Sequence, residues 1–201
     1  ALVWMGLQAL ISFCILLTFN TAAIRLGVLA LIPVAVYPFA KRFTWWPQVF
    51  LGLAFNWGAL LAWTAHTGRL EAPAVVLYLA GIAWTLFYDT IYAHQDIEDD
   101  ALIGVKSTAR WFAEKTPDWL RRFLALTVGL MGIAVIFSAL PDASALAMVF
   151  ALAGPWAMGW HMAWQLRGLD INDPAKCMQL FRVNRDTGMI PLFFFAIALF
   201  V

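Results

Sequence analysis

Three aspartates in one short segment are the side chains of this sequence best suited to chemistry. The segment reads Asp89-Thr-Ile-Tyr-Ala-His-Gln-Asp96-Ile-Glu-Asp-Asp100. If it continues the apolar helix predicted before it, Asp96 and Asp100 lie about 20° to either side of Asp89, and the three carboxylates share one stripe about 15 Å long. Like charges at such spacing destabilise a helix. The sequence therefore predicts that these carboxylates form a ligand-binding site.

Carboxylate oxygens are suited to Mg²⁺, which keeps some of its waters and bridges one or two carboxylates to substrate phosphates. Eleven of the thirteen basic residues are predicted to lie on the same side of the membrane as the acids, and four of them are candidate partners of a diphosphate: Lys41, Arg42, Lys106 and Arg110. Because acids alone would repel a diphosphate, the metal and these cations would have to act together. The pattern favours a diphosphate-bearing lipid as ligand; the alternative is a solvated loop whose charges only fix the topology.

The amino-acid composition indicates the class of protein whose helices must position the acidic segment. The chain has 201 residues, of which 63% are hydrophobic and 12% charged, and its mean hydropathy is +0.79. A soluble domain is about 45–50% apolar and about 25% charged, so we predict an integral membrane protein. The net charge of +1 excludes a polybasic nucleic-acid binder, and Cys14 and Cys177 provide no disulfide framework. The start, Ala1-Leu2, has neither an initiator Met nor a charged n-region, and we expect an N-terminally incomplete protein rather than a signal peptide.

We predict an all-α bundle of about seven transmembrane helices, forming one domain over residues 1–201. At about 20 residues per span, the apolar stretches are 2–20, 22–40, 46–64, 73–93, 119–140, 143–166 and 188–201. Basic residues concentrate in three connections, which the positive-inside rule places in the cytoplasm: 41–45, 94–118 and 167–187. The last of these is predicted to be a solvated loop, in which Arg182, Asn184 and Arg185 are candidates to cap the site.

The acidic segment, extended over residues 88–109 with its Gly-Val-Lys-Ser-Thr sequence near the end, resembles the second aspartate-rich motif of the 4-hydroxybenzoate polyprenyltransferases of the UbiA superfamily. The resemblance implies helices 3–9 of a nine-helix bundle, without the family's first aspartate-rich motif. Other segments also resemble this family: residues 10–21, 37–42 with 47–52, and 181–184 with Gly188.

The resemblance implies transfer of a polyprenyl group from its diphosphate to the ring of 4-hydroxybenzoate, in ubiquinone synthesis. It implies an Mg²⁺ cofactor, held by Asp96 and Asp100 with Asp89 as a weaker candidate. Further residues are expected to contact the substrates: Arg42 and Lys106 at the diphosphate or carboxylate, Lys41 and Arg110 behind them, and Tyr37 and Tyr92 near the allylic cation or the phenol. The implied setting is a bacterial or mitochondrial inner membrane, with the site facing cytoplasm or matrix and the bilayer as partner.

Three alternatives remain open from sequence. A sister prenyltransferase would act on another acceptor such as homogentisate, a naphthoate, chlorophyllide or haem. A transporter with an acidic cytoplasmic vestibule should carry ionisable groups at mid-bilayer, and the span interiors here are almost free of them. A purely structural subunit would tolerate Asp96→Asn and Asp100→Asn. We interpret His94, which would point about 140° from Asp89 on the same helix, as a structural residue.

Overall fold

The computed structural model describes residues 2–138 and 144–201, and its secondary structure is helical. A chain in lipid must satisfy its backbone polar groups internally, and the α-helix does so within one segment. The α-helices are α1 (Leu2–Leu16), α2 (Thr21–Leu29), α3 (Leu31–Val36), α4 (Ala40–Phe43), α5 (Pro47–Phe55), α6 (Trp57–Thr67), α7 (Ala72–Ala93), α8 (Ile97–Leu102), α9 (Thr108–Phe112), α10 (Thr116–Ser138), α11 (Ala145–Arg167) and α12 (Pro174–Ala198).

The prediction of an all-α membrane bundle is confirmed, with a helix at each of the seven apolar stretches. Five segments in the described part of the chain are long and apolar enough to cross a membrane: Thr21–Phe43, Pro47–Thr67, Ala72–Ala93, Thr108–Ser138 and Ala145–Arg167. The first helix, α1, is apolar but shorter, with 15 residues. The apolar second half of α12 coincides with the seventh predicted span.

The spans near the N-terminus are interrupted where the sequence provides a reason. Between α3 and α4 the chain forms one 3₁₀ turn, Tyr37–Phe39, which contains Pro38. The span Pro47–Thr67 is divided at Asn56. The Asn56 amide donates hydrogen bonds to the Gly52 carbonyl and to Thr85 Oγ1 of α7, both at 2.9 Å. A polar residue thus satisfies the backbone at the break and ties it to the neighbouring helix.

Helix α7 lies at the centre of the bundle and places the acidic segment. It packs against α10, α5, α12 and α6. Its Phe87 and Ile91 are fully buried, as are Leu120 of α10 and Met158 and Met162 of α11. Burial of this kind contributes about 1.5–3 kcal/mol per large apolar side chain. The last turns of α7, which carry Asp89, are therefore firmly held.

The prediction of a solvated loop over residues 167–187 is wrong beyond residue 173. Helix α12 begins at Pro174, and the Asp173 carboxylate accepts a hydrogen bond from the Lys176 backbone N–H at 3.0 Å. An Asp N-cap followed by a proline in the first turn is a helix start signal, which the high charge of the segment obscured. Its apolar positions Cys177 and Leu180 are buried on one side of the helix.

Candidate functional site

The acidic segment is bent rather than a continuous helix, so the prediction of a single carboxylate stripe is wrong. Helix α7 ends at Ala93, residues 94–96 form a turn, and α8 begins at Ile97. At the bend, the buried His94 side chain lies with its Nε2 atom 3.0 Å from Thr116 Oγ1 of α10. Burial lowers the pKa of His94 to about 4, so the imidazole is neutral at neutral pH. This agrees with our interpretation of His94 as a structural residue.

Asp100 forms the one ion pair of the acidic segment within the described residues. Lys41 Nζ lies 3.2 Å from both of its carboxylate oxygens. The Asp100 side chain is only 6% exposed, whereas that of Lys41 is 43% exposed. Nearby, the Lys106 backbone N–H donates to the Lys41 carbonyl at 2.9 Å. These contacts bring segments 41–45 and 94–118 to the same end of the bundle.

Arg110 and Lys106 hold the connection between α8 and α9. The Arg110 guanidinium donates to the Asp100 carbonyl at 3.2 Å and to the Val105 carbonyl. It also lies over the Trp45 ring, 5.5 Å from the centroid. Lys106 Nζ lies 5.9 Å from the same ring and 3.4 Å from the Phe43 carbonyl. Both predicted substrate-binding cations therefore have structural contacts here, and their substrate contacts stay predictions.

Asp89 and Asp96 differ from Asp100 because neither has an ion-pair or side-chain hydrogen-bond partner in the described part of the chain. Both are half-buried. Asp89 lies near the Lys41 ammonium group and the Tyr37 phenol. Tyr92 lies close to Tyr37 as well. A half-buried carboxylate without a partner is costly unless a ligand or cation compensates it.

Among the described residues, the predicted site residue Arg42 forms no ion pair with the acids. It is exposed, and its guanidinium lies 6.0 Å from the centroid of the Phe39 ring. Since the neighbouring Lys41 contacts Asp100, Arg42 is nonetheless at the same end of the bundle. It is accessible to an anion arriving from solvent.

Sequence reasoning missed a row of aromatic side chains beside Asp89. Trp84, Tyr88 and Tyr92 are spaced four residues apart on one face of α7, and Phe181 of α12 packs against the two tyrosines. The i, i+4, i+8 spacing was visible in the sequence. The partner on α12 was not, because that part of the chain was predicted to be a loop.

The donor chemistry of the acidic segment suits a hard cation that is shared with a phosphate-bearing ligand. Within residues 2–138 and 144–201, no group of three or more His, Cys, Asp or Glu side chains is arranged to hold a metal ion by itself. Mg²⁺ usually needs only one or two carboxylates when substrate phosphates supply the other oxygens. The unpartnered carboxylates of Asp89 and Asp96, with Asp100 nearby, fit that kind of shared site.

The fold and the site define a class of protein: a helical membrane bundle with acids and cations at one end of its central helix. The sequence matches the UbiA prenyltransferase family over residues 1–200, and the chain belongs to that family. The resemblance seen in the sequence is thereby confirmed.

Relatives that are named for an activity are similar to this protein over almost the whole chain. The mitochondrial 4-hydroxybenzoate polyprenyltransferase of Bos taurus is 46% identical over 192 residues, which are 94% of this chain and 49% of the bovine protein. The human protein of the same name is 43% identical over 190 residues, with the same two shares, and that of Arabidopsis thaliana is 44% identical over 189 residues, 93% of this chain and 44% of the plant protein. The chain spans about half the length of these curated relatives.

One solved structure supports the fold. A UbiA homologue from Aeropyrum pernix K1 superposes with a TM-score of 0.70, covering 96% of this chain and 70% of that one, at 22% identity. The similarity is one of architecture, and it agrees with the all-α membrane bundle described above.

Proposed function

We propose that this chain belongs to an enzyme that transfers a polyprenyl group from polyprenyl diphosphate to the ring of 4-hydroxybenzoate, in ubiquinone synthesis. The observation that carries the proposal is the end of α7, where the Asp89 and Asp96 side chains have no partner among the described residues and lie beside the Lys41–Asp100 ion pair. The relatives named for this reaction, at 43–46% identity, support the choice of acceptor.

The reaction would begin when the allylic C–O bond breaks and its electron pair goes to the diphosphate oxygen. The ring carbon beside the acceptor hydroxyl then forms a C–C bond with the allylic cation, and the proton that this carbon loses passes to the released diphosphate. Stabilising the negative charge on the leaving group is the main electrostatic task, and fixed charges of this kind usually contribute the largest catalytic effect.

The charged residues have distinct roles in this proposal. Asp96 and Asp100, with Asp89 as a weaker candidate, would hold Mg²⁺, which when bound neutralises charge on the diphosphate. Lys41 pairs with Asp100 and lies near Asp89, so a cation at the aspartates would leave its ammonium group available to the diphosphate. Arg42, exposed at the same end, is a second diphosphate contact.

The apolar helices contribute by keeping water away from the cation, and a bundle in the bilayer admits a polyprenyl tail sideways from lipid. Tyr37 and Tyr92 would lie near the cation or the phenol. The relatives are named as mitochondrial proteins, and we propose an inner membrane, mitochondrial or bacterial, with the charged end facing the matrix or the cytoplasm.

The test is product formation in membranes that contain the protein, supplied with 4-hydroxybenzoate, a polyprenyl diphosphate and Mg²⁺. We expect prenylated 4-hydroxybenzoate that disappears with a chelator and returns with added Mg²⁺. Product that persists under chelation would contradict the metal assignment alone. No product with 4-hydroxybenzoate but product with homogentisate or a naphthoate would contradict the acceptor and leave the reaction class standing.

A further inference from the structure

Four aromatic side chains form a continuous row across α7 and α12. The ring centroids of Trp84 and Tyr88 lie 5.4 Å apart, those of Tyr88 and Phe181 5.9 Å, and those of Tyr92 and Phe181 4.7 Å. All are tilted or edge-to-face pairs, the arrangements that aromatic rings favour. The row follows the axis of α7 towards its acidic end.

The rings of this row are accessible, unlike the core of the bundle. Each of the four side chains is only partly buried, whereas Phe87 and Ile91 on the same stretch of α7 are completely buried. Tyr88 directly precedes Asp89 in the chain, on the last turns of α7. The row thus borders the place where the diphosphate is proposed to bind.

Two features of α12 fix the position of Trp84. Its indole Nε1–H donates a hydrogen bond to Asn184 Oδ1 at 3.1 Å. Its six-membered ring fills a notch at Gly188, where an added Cβ atom would lie 2.6 Å from Trp84 Cη2. No side chain larger than glycine fits beside the ring unless the ring moves.

The Asn184 amide can present only its oxygen to Trp84. Its Nδ2 atom donates to Gln165 Oε1 at 2.9 Å and to the Leu180 carbonyl at 3.0 Å. Gln165 is held in turn by Thr187, whose Oγ1 atom accepts from Gln165 Nε2 at 2.9 Å. Since every donor of the Asn184 amide has an acceptor, the network sets the amide orientation and with it the indole.

We propose that Asn184 and Gly188 are positioning residues for the reaction: they hold Trp84, and through it the ring row that stabilises the allylic cation after the C–O bond breaks. This rests on the proposed prenyl transfer. Aromatic faces attract a cation, most strongly where water is excluded. Because the rings contact one another in sequence, displacement of Trp84 would tilt Tyr88 and disturb Phe181.

The first test is the steric coupling between Gly188 and Trp84. We expect Gly188→Ala to lower kcat about tenfold with little change in KM for the diphosphate, the scale of one desolvated cation–π contact. Phenylalanine lacks the part of the ring that fills the notch, so the same change should add no further loss when made in the Trp84→Phe background. Equal losses in both backgrounds would overturn the proposal.

Matched controls separate positioning from folding. An added Cβ at Gly159 would lie 2.5 Å from Val128 Cγ2, between α10 and α11 and away from the ring row, so Gly159→Ala has a comparable clash. Trp57→Phe removes an indole hydrogen bond to the Leu26 carbonyl at 2.9 Å. We expect both controls to keep kcat within about twofold per folded molecule, since neither contacts the ring row or reaches the charged end. A tenfold loss in either control would overturn the proposal.

The second test measures the recognition of positive charge directly. A prenyl ammonium ion mimics the allylic cation, and a neutral prenyl ether of the same shape does not; dissociation constants are measured for both in the presence of inorganic diphosphate. We expect the wild-type protein to prefer the ammonium ion about tenfold and Gly188→Ala to bind both nearly equally, a loss of about 1.4 kcal/mol. A merely structural glycine would weaken both ligands alike.

The two tests distinguish this inference from the proposed function. Ammonium preference without transfer to 4-hydroxybenzoate would contradict the acceptor and support the ring row. Transfer by a wild-type protein that binds ammonium and ether equally would support the function and overturn the ring row.

Discussion

Among the described residues, polar side chains at the charged end of α7 include carboxylates that lack partners, whereas those in the hydrogen-bond network between α11 and α12 are paired with one another. At the charged end, Asp89 and Asp96 have no partner among the described residues, and Asp100 has only Lys41. In the network, neutral side chains pair in sequence: His161 with Thr187, Thr187 with Gln165, Gln165 with Asn184, and Asn184 with Trp84, all within 3.1 Å.

This difference indicates which part of the protein is available to bind a charged ligand. An unpaired polar group within a bilayer costs several kcal/mol, so the network inside the bundle uses neutral groups that satisfy one another. Across residues 2–138 and 144–201, Thr64 is the single residue with a buried side-chain polar atom that lacks a partner. Among the described residues, the unpaired half-buried carboxylates of Asp89 and Asp96 lie at the charged end of α7, where a diphosphate and its counter-ion can pair with them.

The largest effect that this comparison predicts is on transfer at the charged end. We expect Asp96→Asn to lower transfer about 10²-fold or more, because an amide oxygen replaces a charge in the electrostatic stabilisation of the leaving group. Its thermal unfolding should be unchanged, since the Asp96 side chain has no partner to lose within the described residues. The measurement is the initial rate of product formation per folded molecule.

Glu98 and Asp99 provide the matched controls. Both are exposed neighbours of Asp96 on α8, and we expect Glu98→Gln and Asp99→Asn to retain normal transfer. Near-normal turnover of Asp96→Asn at equal abundance would contradict its metal role. Equal losses in all three variants would point to the total charge of the segment instead.

A smaller effect is expected at Lys41. Lys41→Met removes a cation that pairs with Asp100 and lies near Asp89, and we expect transfer to fall about tenfold from the loss of one charge–diphosphate contact. The double variant with Asp100→Asn distinguishes two roles. If Lys41 served only to hold Asp100, the double variant would be no worse than Asp100→Asn alone. If it contacts the diphosphate, the losses multiply.

Much of the fold could be predicted from the sequence because lipid imposes a simple rule. Runs of about 20 apolar residues must form helices in a bilayer, and the predicted stretch 73–93 agrees with α7 to within one residue at its start. The rule failed where charge and helix coincide. The first half of α12 is charged on its exposed side, with Arg182, Arg185 and Asp186, and it was predicted to be a loop despite its Asp173-Pro174 start signal.

The sequence predicted which residues lie at the candidate site, but not how they are arranged in space. Helical spacing from Asp89 to Asp100 assumed that the helix continues, whereas burial of His94 against Thr116 of α10 bends the chain. Nothing local to the segment reveals that tertiary contact. The pairing of Lys41 with Asp100 likewise joins residues 59 positions apart, which spacing within one helix cannot show.

The smallest predicted effect concerns Thr187 in the hydrogen-bond network between α11 and α12. Thr187 Oγ1 accepts from Gln165 Nε2 at 2.9 Å and lies within hydrogen-bond distance of His161 Nδ1, also at 2.9 Å. Thr187→Val keeps the shape of the side chain and removes the hydroxyl partner of both. Hydrogen bonds between membrane helices average about 0.6 kcal/mol and reach about 1.7, so we expect a loss of unfolding free energy of about 1 kcal/mol and a lower Tm in detergent.

Thr127 provides the matched control. It is also buried, but it donates only to the Phe123 carbonyl of its own helix, so Thr127→Val should lower Tm less. Transfer per folded molecule should stay within about twofold of normal in both variants, because the Asn184 amide that holds Trp84 keeps its acceptors on Gln165 and Leu180. A tenfold loss of transfer in Thr187→Val at unchanged Tm would contradict this expectation and would mean that Thr187, too, is needed to position Trp84.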